Sequence, residues 1–231
     1  MALDRFLHLL FPHVCVVCGR LLVSGEDGCC SSCMAGFNPF ENSLESEQML
    51  RNVIASRFGK AVLFERGWCR YQFHKKSSLQ LALHAMKYEG LYNLGNMFGF
   101  ELGEWMLSSG GIGDIECIVP VPLHRLKKIE RSYNQSEKIA EGIGKSLARP
   151  VMRKLLVRKR YTVSQTGLSV EERKKNPEGA FSVPKGVTLR HVLLVDDVVT
   201  TGATLAAAAS ALFEAGVEKV SFAALAIAMK D

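Results

Sequence analysis

The stretch HVLLVDDVVTTGATLAAAAS, residues 191–210, decides the fold. Four apolar residues, 192–195, lead directly into the adjacent carboxylates Asp196 and Asp197. A Thr-Thr-Gly-Ala-Thr turn at 200–204 and an alanine-rich stretch follow. The apolar run predicts a buried parallel strand whose carboxyl end faces a crevice, and the turn predicts the start of a helix.

The turn at 200–204 has the composition of an anion site. Its hydroxyls and the N–H groups of a helix start face outward, the helix dipole adds positive charge, and Gly202 lets the backbone approach a ligand closely. Two carboxylates would repel a phosphate that touched them. Asp196 and Asp197 are explained if they accept hydrogen bonds from neutral hydroxyls or help to hold a cation. A sugar phosphate with vicinal hydroxyls satisfies both demands.

Other phosphate-binding motifs do not fit this stretch. A Walker A loop needs a Gly-Lys-Ser/Thr ending, which is absent, and no G-x-G-x-x-G follows a strand. An ordinary strand–turn–helix would leave the two adjacent carboxylates without an explanation.

The rest of the chain alternates between strand and helix patterns. Strands are predicted at 61–73, 114–123, 192–196 and 219–228, and helices at 77–90, 91–107, 132–148 and 203–214. Such alternation predicts an α/β fold with a mostly parallel sheet flanked by helices.

The N-terminal part carries five of the seven cysteines, and four of them form a paired C-x2-C pattern. Two such turns present four thiolates to one ion, which predicts a structural Zn²⁺ site at Cys15, Cys18, Cys30 and Cys33. Cys29 with Cys33 is an alternative pair, and equal knuckle spacing favours Cys30. A redox site would need a single C-x2-C opening a helix after a strand, and disulfides conflict with the compartment inferred below.

The composition of the chain restricts the possible functions less than these motifs do. The chain has 231 residues, and its formal charge of +6 favours a polyanionic ligand as much as a generally basic surface. No apolar run is long enough for a membrane span, and the N-terminus does not resemble a signal peptide, so we expect a cytoplasmic protein without membrane insertion. Residues 36–60 are polar with weak periodicity. We therefore expect a zinc module with linker at 1–60 and a second domain at 61–231.

The stretch VLLVDDVVTTGAT resembles the phosphoribosyl-pyrophosphate (PRPP) motif of type I phosphoribosyltransferases. Together with IVPVPLH, RSYNQSEKIA, TVSQTGLSVEERKKNPEGAF and the paired C-x2-C, in that order, the chain resembles the ComF family of competence-related phosphoribosyltransferases, which includes the GntX-like proteins. The resemblance runs from Cys15 to the final strand. One departure is visible: the family's usual Arg-Gly-Phe-Asn-Gln is Arg-Ser-Tyr-Asn-Gln at 131–135, and Ser132 in place of Gly is expected to alter the turn.

The resemblance implies that Asp196 and Asp197 bind the ribose hydroxyls and that the following loop cradles the 5-phosphate. The loop residues implied are Val198, Thr200, Thr201, Gly202, Ala203 and Thr204. Mg²⁺ would bridge the pyrophosphate oxygens of PRPP. The acceptor is unknown, and a nucleobase-like molecule is one expectation.

The leaving pyrophosphate needs cations, and the segment PLHRLKKIERSYNQ supplies them. The candidates are Arg125, Lys127, Lys128 and Arg131, with Arg131 favoured. Asn134 and Gln135 at a helix start are further candidates, although helix capping is a competing explanation. The basic segment 158–175 is expected to form a hood over PRPP, with a solvated basic loop as the alternative. Tyr71, Lys87 and Tyr88 resemble family positions near the N-terminal hood, with core or surface roles equally open.

A rival function belongs to a different class. It is a non-catalytic protein of DNA uptake that associates with single-stranded DNA or a DNA-uptake helicase and uses PRPP as a regulatory ligand. Zinc knuckles and basic strips bind single strands. Against this reading, the zinc module has few aromatic residues among its basic ones, and residues 26–47 are acidic.

Overall fold

The structure is a computed structural model that describes residues 13–58, 64–123, 129–158 and 179–229. Its helices are α1 (Ser31–Ala35), α2 (Ser43–Phe58), α3 (Ser78–Tyr88), α4 (Tyr92–Ser108), α5 (Gln135–Leu147) and α6 (Ala203–Glu214). Its strands are β1 (Gly67–Phe73), β2 (Cys117–Pro120), β3 (Val157–Arg158), β4 (Phe181–Ser182), β5 (His191–Val199) and β6 (Lys219–Ala228).

Four strands form a parallel sheet in the order β1-β6-β5-β2, which confirms the predicted fold class. One face is covered by α3, α4 and α5 together with residues of the cysteine-rich segment. The other face is covered by α2 and α6. Because both faces are buried, β5 and β6 are nearly continuous apolar runs, as expected for parallel strands.

The strand in the deciding stretch is longer than predicted. It was expected to end at residue 196, but β5 continues to Val199, with Val198 opposite Ala226 and Val199 opposite Ile227 of β6. Asp196 and Asp197 therefore lie inside the strand. Both carboxylates contact helices that cover the same face of the sheet, Asp196 through Ser136 of α5 and Asp197 through Lys87 of α3.

The segment expected to be a linker contains a helix. Within 36–60, α2 occupies Ser43–Phe58, and its buried Leu50 and Ile54 belong to the core on the α6 side of the sheet. Its polar appearance arises because only one narrow stripe of α2 is buried. The division at residue 60 stays a prediction, but α2 packs with the sheet.

Small residues let α4 and α5 approach each other closely. A Cβ atom at Gly99 would collide with the backbone of Ile139, and one at Gly142 would collide with the backbone of Asn96. This contact fixes the position of α5, and thereby places its first turn beside β5. None of the helices that the structure describes is both long and apolar enough to cross a membrane.

Candidate PRPP site and metal centre

The four predicted zinc ligands come together. The Sγ atoms of Cys15, Cys18, Cys30 and Cys33 all lie within 4.8 Å of one another. The Sγ atoms of Cys18 and Cys30 are 3.8 Å apart. A tetrahedron of Zn–S bonds of about 2.3 Å has edges of about 3.8 Å, so the cluster fits one Zn²⁺ ion. Cys29 lies outside this cluster, in agreement with the choice of Cys30.

The backbone around the cluster favours thiolates at two of the four positions. Burial raises the pKa of Cys15, but backbone hydrogen bonds from Cys30, Cys18 and Val17 outweigh it and bring the pKa to about 6. Cys30 has a lowered pKa because hydrogen bonds, chiefly from the Cys33 backbone, outweigh its desolvation. By contrast, burial raises the pKa of Cys29 to about 12, so this thiol stays protonated.

The acidic pair of β5 is held by side chains from two helices. Ser136, in the first turn of α5, donates its hydroxyl hydrogen bond to Asp196 Oδ1 at 3.0 Å. Lys87, near the end of α3, forms an ion pair with Asp197, with 2.7 Å between Nζ and Oδ2. Both members of that ion pair are mostly buried, because 21% of the Lys87 side chain and 15% of the Asp197 side chain are exposed.

The two carboxyl groups differ in their protonation. Burial, followed by repulsion from Asp197, raises the pKa of Asp196 to about 7. Burial also acts on Asp197, but the Lys87 ammonium group outweighs it and lowers the pKa of Asp197. One member of the pair is therefore ionised throughout the neutral range, and the other gains or loses its proton close to pH 7.

The loop after β5 opens α6 as predicted. Gly202 is the N-cap residue, with a φ of 71°, and α6 begins without a side-chain hydrogen bond at its N-cap. The first N–H groups of the helix are therefore open to an anion, apart from a long contact of 3.5 Å from Ala203 N to Thr201 Oγ1. Thr200 is exposed, whereas Thr201 and Thr204 are half-buried. Val198 N donates to the carboxylate of Asp197 at 2.7 Å.

The structure adds a second reason for the glycine of this loop. A Cβ atom at Gly202 would lie 2.6 Å from Cγ1 of Ile54 in α2. The sequence interpretation gave Gly202 the role of close approach to a ligand, but the close neighbour on the Cβ side is α2. The loop therefore rests on a helix that the sequence assigned to the linker.

The start of α5 carries unsatisfied polar atoms. Asn134 is the N-cap residue but makes no capping hydrogen bond with its side chain. Its Nδ2 donates to Val121 O at 2.9 Å, and its buried Oδ1 has no partner among the described residues. Arg131 donates from one terminal nitrogen to Gln135 Oε1 at 3.1 Å, while its buried Nε has no such partner. Helix capping therefore does not explain Asn134. Asn134 Oδ1 and Arg131 Nε are available for hydrogen bonds to a ligand.

Ser132 has the backbone geometry that favours glycine. Its φ is 64°, in the left-handed region. The Tyr133 hydroxyl donates to Met86 O and anchors this turn on α3. Arg131 also lies over the ring of Tyr88, 5.5 Å from its centroid.

Several predicted residues lie outside the described part of the chain or in the core. Arg125, Lys127 and Lys128 lie outside the described residues, as does most of the expected hood at 158–175. Tyr71 is buried in the core, with its ring 5.6 Å from that of Phe37.

Sequence reasoning missed Ser136 and Ile54 and left Lys87 open. Ser136 lies inside the quoted RSYNQSEKIA stretch, so its motif was available as a signal. Lys87 and Ile54 sit in ordinary amphipathic helices, and no local pattern marks them.

Comparisons with known proteins agree with this geometry. A phosphoribosyl transferase domain matches residues 124–231. Competence protein F of Haemophilus influenzae is 27% identical over 224 residues, which are 94% of this chain and 97% of that protein. Competence protein ComFC of Streptococcus pneumoniae is 25% identical over 89% of this chain and 96% of its own length. The DNA utilization protein YhgH of Escherichia coli is 37% identical, but the match spans only 45% of each chain.

Two relatives are thus aligned over nearly their whole length, and the domain match includes the acidic pair, the Thr-Gly loop and the start of α5. These matches support a ComF-family, phosphoribosyltransferase-like protein.

Proposed function

We propose that this protein binds PRPP with Mg²⁺ and transfers the phosphoribosyl group to an acceptor. The observation that carries the proposal is the half-buried pair Asp196–Asp197 on β5, held by Ser136 and Lys87 and followed within a few residues by the open start of α6. Acceptors of neutral hydroxyls and a terminal phosphate site are thereby adjacent along one strand. A ribose 5-phosphate needs both.

The 5-phosphate would bind at the start of α6. The N–H groups of this turn, the hydroxyls of Thr200, Thr201 and Thr204, and the helix dipole supply donors and positive potential. Ile54 supports the loop from beneath through its contact with Gly202. The binding energy of this remote group would position the ribose for reaction.

The ribose hydroxyls would donate hydrogen bonds to Asp197 and Asp196. In the free protein Lys87 neutralises Asp197. When a ribose hydroxyl donates its hydrogen bond to the Asp197 carboxylate, the Lys87 ammonium group would be released. It would then lie close to the leaving pyrophosphate. Arg131 and the uncapped start of α5 supply further donors on this side.

Transfer would break the bond between ribose C1 and the pyrophosphate oxygen, and the bonding electrons would leave with pyrophosphate. The acceptor donates an electron pair to C1 and forms the new bond. Because the transition state resembles an oxocarbenium ion, the nearby carboxylates stabilise its charge. Mg²⁺ would neutralise the pyrophosphate oxygens.

The zinc ligands would be Cys15, Cys18, Cys30 and Cys33. Four protein thiolates fill a tetrahedral ion, so Zn²⁺ would supply structural stability and leave no position for substrate. The module packs on the sheet domain, because Cys15 and Phe37 belong to the same buried core as Leu94 and Phe98 of α4.

The test is a calorimetric titration of Mg²⁺–PRPP into zinc-loaded protein, repeated with the double variant Asp196→Asn/Asp197→Asn. We expect micromolar binding that weakens at least a hundredfold in the double variant. Glu218→Gln, at an exposed carboxylate beside the opposite end of β6, is the matched control and should bind as the unmodified protein does. Absence of binding to folded, unmodified protein would overturn the proposal.

The second candidate is the association with single-stranded DNA, with PRPP as a regulatory ligand. It is favoured by the names of the relatives, a competence protein and a DNA utilization protein, and by the formal charge of +6. Fluorescence anisotropy of labelled oligonucleotides at several salt concentrations tests it, since phosphate contacts give a steep salt dependence. Salt-dependent DNA binding without PRPP turnover on any acceptor would favour this candidate.

A further inference from the structure

A groove lies between α4, β1 and the end of α1, outside the proposed PRPP site. Its volume is about 380 Å³, and it is lined mainly by Arg70, Tyr71, Phe100, Glu101, Glu104 and Trp105. Met34, the residue after the zinc ligand Cys33, closes one side. A volume of this order suits a small ligand or one or two side chains.

Two aromatic rings of this groove already contact a cationic side chain of the protein, that of Arg70. The guanidinium carbon of Arg70 lies 5.5 Å from the centroid of the Tyr71 ring and 5.2 Å from that of the Trp105 ring. Both distances are within the range of cation–π attraction. Phe100 also lines the groove and is 46% exposed, so its ring is open to a ligand.

The groove carries more negative than positive charge. It contains two carboxylates, Glu101 and Glu104, and one guanidinium group, Arg70. The ion pairs found among the described residues include neither carboxylate. Within the described part of the chain, Glu104 accepts from a neutral donor, the hydroxyl of Ser146, at 2.6 Å. On a protein with a formal charge of +6, this is a local excess of acidic groups.

Glu101 is the group with the greatest need for a partner. Burial raises its pKa, and Arg70 and the Tyr71 phenol offset this burial only in part. A carboxylate that is half-buried among aromatic rings gains most from a cationic donor, which brings charge and hydrogen bonds while its stem covers the apolar wall.

We propose that the groove between α4 and β1 binds an organic cation on an aliphatic stem, an ammonium or guanidinium group, with Glu101 as its charge partner and Phe100 and Trp105 as its aromatic walls. This chemistry is shared by free aliphatic amines and by Lys or Arg side chains of a partner protein. The site is independent of PRPP binding.

Trp105 provides the readout. Of the two tryptophans, Trp68 is fully buried and Trp105 lines the groove, so a ligand there changes the fluorescence of Trp105. Zinc-loaded protein is titrated with cadaverine, with agmatine, with a short peptide containing Lys and Arg, and with the neutral analogue 1,5-pentanediol. We expect saturable changes with at least one cationic probe and none with the diol.

Substitutions of the groove carboxylates test whether the cation binds in this groove. Glu101→Gln keeps the shape of the side chain and should weaken binding of the cation at least tenfold, whereas Glu218→Gln should leave it unchanged. Circular dichroism checks folding, and if Glu101→Gln fails to fold, the exposed Glu104→Gln takes its place with an expected loss of about threefold at one charge. Preference for the free amines or for the peptide identifies the source. The absence of saturable binding, equal response to the diol, or unchanged affinity in a folded carboxylate variant would overturn the proposal.

Discussion

The cysteine cluster and the acidic-pair site differ in how far apart their parts lie in the chain. The four clustered thiols come from residues 15–33, and two short turns suffice to bring them together. In the acidic-pair site, Lys87 pairs with Asp197, and Ser136 with Asp196, so three elements separated by long stretches must pack first. The spacing of residues along the chain is enough to define a site whose parts are close in sequence. A site whose parts are far apart in sequence depends on how the helices and strands pack. The predictions below test this contrast, from the largest expected effect to the smallest.

We expect the cysteine cluster to lose its metal when one of its four ligands is removed. Cys18→Ser removes a ligand, and we expect loss of the bound Zn²⁺ and a fall in the thermal midpoint of about 10 °C, because the metal supplies folding free energy to this segment. Metal analysis and a thermal scan measure both. Cys29→Ala, outside the cluster, should retain one Zn²⁺ per chain. Retention of the metal by Cys18→Ser would contradict the assignment of the ligands.

The acidic-pair site should show coupling between distant residues. Lys87→Met leaves Asp197 without its counter-charge, and we expect a loss of about 3 kcal/mol in the free energy of unfolding, measured with urea. Adding Asp197→Asn should recover much of that loss, since the neutral side chain needs no cation. Lys138→Met breaks the ion pair with Glu141, but Glu141 keeps Arg153 as a counter-charge, so this change should cost less than about 1 kcal/mol. Equal losses of unfolding free energy in the two lysine variants would mean that the Lys87–Asp197 ion pair contributes no more to stability than the Lys138–Glu141 pair.

The loop and α2 should be coupled as well. Gly202→Ala introduces strain at a φ of 71° and a collision with Ile54. We expect a loss of about 2–3 kcal/mol from these two causes. In an Ile54→Ala background the collision disappears, so Gly202→Ala should cost only about 1 kcal/mol. Strict additivity in this double-mutant cycle would show that α2 does not support the loop.

Asp196 should impose a pH dependence on stability. Its pKa is raised from its usual value to about 7, so the folded protein holds this proton where the unfolded chain has released it. Stability from this group therefore falls as the pH rises from about 4 to about 7, and then levels off. Asp196→Asn should flatten this part of the profile relative to Glu218→Gln. Urea unfolding at several pH values measures it, and an unchanged slope would contradict the raised pKa.

The smallest effect is expected at Ser132. Ser132→Gly should raise the free energy of unfolding by up to about 1 kcal/mol, because glycine adopts a φ of 64° without strain while its greater freedom in the unfolded chain offsets part of the gain. Ala148→Gly, at a φ of 50°, is the matched case, and Ser109→Gly, at a φ of −81°, should not stabilise. A clear destabilisation by Ser132→Gly would mean that its hydroxyl has a role.

Much of the fold could be predicted because its strands and helices are long and periodic. The strand–helix alternation predicted the parallel sheet, and the helix at 77–90 was found as α3, with Ser77 accepting the N-cap hydrogen bond from Gln80 N. The extent of β5 was underestimated, because two charged residues are typical of a strand end, and only pairing with β6 carries the strand past them. The stripe on α2 is narrow, so its helix was not recognised.

The sequence by itself determined the parallel α/β architecture, the four-thiol cluster, and the presence of two carboxylates ahead of a helix-opening Thr-Gly turn. These features depend on neighbours within a few residues, where covalent geometry limits the choices. Only the tertiary structure decided that Lys87 neutralises Asp197, that Ser136 binds Asp196, and that Ile54 lies beneath Gly202. Such contacts depend on which helices pack against each strand, and the energy that selects that packing comes from buried surface spread over the whole chain.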